Sequence, residues 1–255
     1  MSKRNTELRR LAISKRVNQL GEVSVDALSR LFETSEVTIR KDLASLEKNG
    51  QLLRRYGGAV ALPKEVLNDA LDDNVSVRKV SLAKTAASLI RDHHRIVIDS
   101  GSTTAALIKQ LNQKQGLVVM TNSLNVANAL NELESEPTLL MTGGTWDNHS
   151  ESFQGQVAES VLRSYDFDQL FIGADGIDLA RGTTTFNELV GLSQVMAEVS
   201  RQVVVMIEAD KIGRRMPNLE LGWGDIDVLV TDERIRSEQK SAIEAQGVRV
   251  LVSSL

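Results

Sequence analysis

The chain contains no cysteine and only three histidines in 255 residues. Disulfides and thiolate zinc sites are thereby excluded, and His93, His94 and His149 are too few and too scattered for a metal site. No metal and no cofactor is expected, and redox chemistry is set aside. No run approaches the roughly 20 apolar residues that a membrane span requires. The opening MSKRNTELRR lacks the apolar stretch of a signal peptide, so the expected compartment is the cytoplasm, with no membrane partner.

What is present is ordinary globular material: 42% hydrophobic and 25% charged residues, enough apolar mass for two domains with a sizeable core. The net charge of −4 conceals an asymmetry. Residues 1–62 hold 12 basic and 7 acidic side chains, net +5, while the remainder holds 18 basic and 27 acidic, net −9. A small basic module on a larger acidic one suggests that only the first meets a polyanion, although a basic face can also be merely solvated.

Apolar positions Leu8, Leu11, Ala12 and Leu20, with Ile13 and Val17 filling the stripe, predict a helix over 5–20 stopped by Gly21. Ser24 is suited to cap a second, short helix carrying Val25, Leu28 and Leu31, followed by the turn Glu33-Thr34-Ser35. Ser35 can cap a third helix over 36–48, with Ile39, Leu43 and Leu46 as its inner stripe. Its other face shows Glu36, Thr38, Arg40, Lys41 and Ser45, a mixture that suits a DNA major groove. Two helices joined by a three-residue turn fit a helix-turn-helix; a plain three-helix packing unit fits the pattern as well. The segment 51–60 then reads as two short strands around a basic, glycine-containing hairpin, a wing whose Arg54 and Arg55 can reach phosphate oxygens. Its paired glycines would let the backbone turn or approach DNA closely.

The stretch SEVTIRKDLASLEKNGQLLRRYGGAV, Ser35 to Val60, resembles the signature of the DeoR family of bacterial sugar-catabolism regulators. The resemblance implies binding to a double-stranded operator, usually for repression. It makes Ser35, Thr38, Arg40 and Lys41 on the recognition helix and Arg54 and Arg55 on the wing the expected DNA-binding residues. A reader of half-sites pairs with a copy of itself, so a homo-oligomer, dimer or tetramer, is expected.

Domain limits follow as a winged helix-turn-helix over 1–61, a linker over 62–79 around Pro63 and the acidic run 69–73, and a second domain over 80–255. In the second domain strand-like and helix-like segments alternate, which predicts a parallel α/β sheet: helix 80–90, strand 96–99, helix 103–111, strand 118–121, helix 124–133, strand 138–142. The alternation continues with helix 151–164, strand 169–172, helix 187–200, strands 203–208 and 228–231, helix 237–246 and strand 249–252.

Ligands of such sheets sit beyond the carboxyl ends of the strands, and four loops there carry chemistry. Ser100, Gly101, Ser102, Thr103 and Thr104 open a helix after a strand, offering backbone N–H groups, hydroxyls and a helix dipole to a phosphate. A capped turn would use the same residues. Thr121-Asn122 and Gly143 follow the next two strands. Asp175, Asp178 and Glu188 could bind sugar hydroxyls, ligate a metal or move protons, and Asp178-adjacent Asp-Gly sequence is also a common turn.

All four loops resemble the effector domain of the DeoR family, itself similar to the ribose-5-phosphate isomerase and acyl-CoA transferase type of α/β fold. The resemblance implies that the loop Ser102 to Thr104 holds the phosphate of a phosphorylated sugar, that Thr121, Asn122, Asp175 and Glu188 surround the sugar, and that Lys211 closes the site. Glu208-Ala209-Asp210-Lys211 departs from the family's Asp-Ser-Ser-Lys-like stretch, losing hydroxyls and gaining a carboxylate. The closest likeness is to the hexitol and amino-sugar branch. A sugar-phosphate isomerase is the rival class, but between Asp175 and Glu188 the chain has Arg181 and no lysine, and an arginine is a poor proton carrier at neutral pH. Binding without turnover is the expectation.

Overall fold

A computed structural model describes residues 3–48, 52–55, 57–61, 77–148, 150–187 and 189–254. The chain divides into two compact units, Met1–Asp73 and Asn74–Leu255.

The first unit contains α1 (Lys3–Leu20), β1 (Glu22–Ser24), α2 (Val25–Leu31), α3 (Glu36–Lys48), β2 (Leu53–Arg55) and β3 (Gly58–Val60). Ser24 caps α2 by accepting from the Ala27 N–H, and Ser35 caps α3 by accepting from the Thr38 N–H. The core is Ile13, Val17, Val23, Val25, Leu28, Ile39, Leu43, Leu46, Leu52 and Ala59. Two sequence expectations are corrected. Leu8, Leu11, Leu20 and Leu31 are more than half exposed: α1 turns Ile13 and Val17 inward and leaves its leucines facing solvent, and α2 buries Val25 and Leu28 instead of Leu31. The wing is a three-stranded antiparallel sheet in the order β1-β3-β2, with Val23 opposite Ala59 and Arg54 opposite Ala59 from the other side. Gly58 is required by this packing: a Cβ there would lie 2.5 Å from the Val23 carbonyl oxygen.

Asp42 on α3 is buried and accepts from Arg9 Nε at 2.6 Å and Arg10 Nε at 2.8 Å. Arg10 also donates to Ser45 Oγ, so Ser45 faces α1 and not the exposed side of α3.

The second unit opens with α4 (Val77–Ala87), which starts inside the stretch read as linker. It continues through β4 (Arg95–Ile98), α5 (Ser102–Ala105), β5 (Val118–Thr121), α6 (Leu124–Asn131), β6 (Thr138–Met141), β7 (Thr145–Asp147), β8 (Ser152–Gln154) and α7 (Gln156–Leu162). Then come β9 (Gln169–Ile172), β10 (Gly176–Asp178), β11 (Gly182–Thr185), α8 (Gly191–Glu198), β12 (Val203–Met206), β13 (Asn218–Gly222), β14 (Val228–Asp232), α9 (Ser237–Glu244) and β15 (Arg249–Ser253). Among the described residues the main sheet has seven strands, all parallel, in the order β15-β14-β12-β9-β4-β5-β6.

Strand alternation sorts the core into two faces. Ile96, Ile98, Val119, Phe171, Val204 and Met206 meet Leu82 and Ala86 of α4 and Val126 and Leu130 of α6. Val97, Met120, Leu170, Ile172, Val203 and Val205 meet Leu162 of α7, Leu192 and Val195 of α8 and Ile243 of α9.

Several elements differ from expectation. The helix expected over 151–164 is replaced by the hairpin β7–β8 and a shorter α7, because Gly155 at φ +90° breaks the chain between them. The helix expected over 187–200 begins only at Gly191. The one expected over 103–111 is a four-residue turn of α-helix followed by a 3-10 segment over Ile108–Gln113. The small antiparallel sheet β10-β11-β13 was not foreseen.

Candidate functional site: an exposed recognition helix and a polar cleft

In the first unit α3 exposes Glu36, Val37, Arg40 and Lys41 on its outer face, along its first turns. Ser35 and Thr38 are tied hydroxyl to hydroxyl at 2.9 Å, and Arg40 leans on Glu36 at 2.7 Å, an exposed pair that a phosphate can replace at little cost. Arg54 is anchored to the recognition helix: its backbone N–H and its Nε both reach the Glu47 carboxylate, at 3.0 and 3.1 Å. The side chain of Arg55 lies outside the described residues.

In the second unit the sheet order fixes the location of the cleft. From β4 the chain runs outward through β5 to β6, then returns to β9 on the other side of β4 and proceeds through β12 to β15. Strand order thus reverses between β4 and β9, and ligands of open parallel sheets bind beyond the carboxyl ends of the strands at such a reversal. The loops after β4, β5, β6 and β9 all leave from that edge, which brings together Ser100–Thr104, Thr121-Asn122, Gly143 and Asp175. Lys211 follows β12, the next strand along. Glu188 lies outside the described residues.

The β4 loop turns at Gly101, φ +129°, and Thr104 Oγ1 cinches it by donating to the carbonyls of Asp99 and Gly101, each at 2.9 Å. With α5 only four residues long, a helix dipole supplies little there, contrary to the sequence reading. The positive charge comes from Lys79 instead. This buried residue of α4 points its Nζ to Ser102 Oγ at 2.8 Å. Sequence reading missed Lys79 because it fell in the apparent linker; the helical spacing of Val80, Ala83 and Ala87 continues back through Val77 and was the available signal.

Behind the loop sits an acidic group. Asn122, fully buried, donates through Nδ2 to Asp99 Oδ1 at 2.9 Å, while its own Oδ1 has no partner. Burial pushes Asp99 up to about 6, against the hydrogen bonds from Ser100 and Asn122. Asp175 accepts from Thr185 Oγ1 at 2.8 Å and the Phe186 N–H, joining the β9 loop to the end of β11. Thr121 is buried, and its hydroxyl accepts from the Ser123 N–H. Gly143, at φ +60°, faces open space.

Asp178 belongs to the scaffold: Arg181 at 2.8 Å and Arg215 at 3.4 Å hold it well below the usual carboxylate range, the Arg181 hydrogen bond contributing most. Glu208 and Asp210, the departures near Lys211, both reach Arg234, which is bound to Asp232; Asp232 in turn accepts the Ala209 N–H. Glu208 and the added carboxylate of Asp210 therefore brace the Lys211 turn through Arg234. Among the described residues no group of acids and histidines has metal-binding spacing.

A winged helix with an exposed recognition helix, carried on the same chain as an α/β unit with a polar cleft, defines a DNA-binding transcriptional regulator with a sensing domain. The chain belongs to the DeoR family: the DeoR-like helix-turn-helix domain matches residues 9–65 and the DeoR C terminal sensor domain matches residues 75–233. A protein of Escherichia coli O157:H7, whose name assigns it to repression of the aga operon, is 39% identical over 97% of this chain and 94% of its own. The HTH-type transcriptional regulator GlpR of Haloferax volcanii is 31% identical over 89% of this chain and 90% of its own. Among solved structures, ribose 5-phosphate isomerase A of Methanocaldococcus jannaschii aligns at a TM-score of 0.38 with 19% identity, covering 52% of this chain and 53% of that one. By its relatives the chain is a regulator and not an enzyme.

Proposed function

We propose that this chain represses a carbohydrate-catabolism operon from the cytoplasm, as a dimer or tetramer, and leaves its operator when a phosphorylated sugar occupies the cleft. The observation that carries the reading is the buried Lys79 ammonium on Ser102 Oγ, set in a hydroxyl-rich loop at the strand-order reversal. A lysine and clustered hydroxyl and N–H donors suit a phosphate. The Asn122 and Asp175 side chains, with Thr121, Gly143 and Lys211, suit sugar hydroxyls, and the family likeness adds Glu188, which lies outside the described residues. Ser35, Thr38, Arg40, Lys41, Arg54 and Arg55 form the DNA surface. Effector favouring one arrangement of the chain shifts the population from the DNA-competent one.

Fluorescence anisotropy with a duplex selected from a random pool by the full chain tests this. Arg40→Ala should weaken DNA binding by about 1–3 kcal/mol and reduce its salt dependence, leaving sugar-phosphate binding unchanged. Lys79→Met should do the reverse, abolishing release by sugar phosphate. Equal loss in both assays for both variants would refute the division of labour.

A further inference from the structure

Three acids lie on the recognition helix α3, where a carboxylate opposes the approach of phosphate: Glu36, Asp42 and Glu47. Glu36 pairs with Arg40 on the same helix, and Asp42 binds Arg9 and Arg10 of α1. Glu47 is placed differently. It stands in the last turn of α3, where the partial negative charge of the helix end also disfavours an acid. A residue at odds with both its helix and its ligand calls for a compensating contact.

That contact is on β2. Glu47 Oε1 accepts the Arg54 backbone N–H at 3.0 Å, and Oε2 lies 3.1 Å from Arg54 Nε, so each oxygen takes one donor of the same residue. Among the described residues β2 is the edge strand of the wing sheet, and Arg54 stands opposite Ala59 of β3. Edge strands leave N–H groups unpaired on their outer side. Here that donor goes to the end of the recognition helix instead. One carboxylate thereby fixes the strand through its backbone and the direction of the guanidinium that the strand carries.

The side chain of Glu47 is 24% exposed and that of Arg54 45%, so the pair adds little to stability. The core on either side, Leu46 and Leu52, packs without it. Its consequence is geometric. Arg40 precedes Glu47 by seven residues, a separation of about 10 Å along a rigid helix. The groove-facing turns and the wing arginine are therefore held at a set distance, and contacts to phosphate fix the register in which base edges are read.

We infer that Glu47 is a positioning residue for operator recognition, locking the wing strand and the Arg54 guanidinium to the carboxyl end of the recognition helix. This rests on the reading of the outer face of α3 and the wing as the DNA surface, and the experiment separates the two. Charge alone predicts that removing an acid beside DNA tightens every complex. The lock predicts that removal loosens the operator complex and tightens only the sequence-independent one.

Anisotropy titrations of the full chain against the selected duplex and a shuffled one compare Glu47→Ala, Arg54→Ala, the double variant and Arg40→Ala. Glu47→Ala should lose fivefold or more on the selected duplex and gain on the shuffled one. Because Glu47 acts through Arg54, the losses of the two single variants should not multiply in the double variant. Glu47→Gln keeps an acceptor for the N–H and should recover part of the discrimination lost in Glu47→Ala. If amide exchange in α3 shows the alanine variant unfolded, Glu47→Gln decides, with weaker binding of the selected duplex expected. Unchanged or tighter binding of that duplex by the Glu47 variants, or losses that multiply, would overturn the role of Glu47 alone. Parental affinity in both Arg40→Ala and Arg54→Ala would overturn the DNA surface and this inference together.

Discussion

Asp42 shows how much one polar residue organises in the first unit. It occupies an inward position of α3 where an apolar residue would pack, and both Arg9 and Arg10 close on it from α1. Removing one partner of a buried ion pair strands the others, a loss of about 3 kcal/mol. Asp42→Ala should therefore lower the urea stability of the first unit by about that amount, read by backbone amide exchange in α1 and α3. Protection that is unchanged in these helices would contradict the clamp. Nothing in the sequence flagged Asp42, since an acid three residues from Ile39 reads as one more polar position of an amphipathic helix. Lys79 was hidden for the opposite reason: a lysine is expected outside, and only the packing of α4 on the sheet buries it.

At the scale of elements, legibility followed how local the determinants are. Helix α3 and its Ser35 cap, and the existence of the parallel strands β4, β5, β6, β9 and β12, were visible because capping and hydrophobic runs are written within a few residues, whereas their order in the sheet was not. The three-residue strands β1, β7, β8 and β10 were not, because each exists by pairing with a segment distant in sequence or across a turn. The same cause hid Glu220, whose strand was never recognised. Gly58 illustrates the difference in meaning. As sequence it suggested close approach to DNA; in the fold it admits β1 against β3. Gly58→Ala should separate these strands and reduce operator affinity at least tenfold, while the thermal shift by sugar phosphate stays as in the parent. Parental operator affinity in this variant would show that the wing tolerates the methyl group.

Over the whole molecule, the buried acids impose a pH dependence with a definite sign. Glu220 keeps its proton in the folded chain up to about 8, against an ordinary value of 4.5, and Asp99 up to about 6, against 3.8. Between those values the folded state holds protons that the unfolded state has released, so stability falls as pH rises. The contribution is complete below the ordinary carboxylate range and is lost as pH passes about 6 for Asp99 and about 8 for Glu220. Both tryptophans, Trp146 and Trp223, lie in the second unit, so their fluorescence follows it alone. The urea midpoint seen by tryptophan should decline from about pH 5 to about pH 8.5, and Glu220→Gln should flatten the upper half of that decline. A midpoint that rises over this range would contradict the assignment.

The bulge at Glu220, in the small sheet β10-β11-β13, also bears on how a regulator of this design can vary. Alternation along β13 is interrupted by one supernumerary residue, and that residue is a buried acid. Deleting a single codon there would restore the regular register and withdraw the carboxyl, with every strand of the main sheet and the entire DNA-reading unit left as they are. The buried charge of this unit could then diverge by insertion and deletion at one strand edge, a mutational route that comparisons scored by substitution alone would overlook.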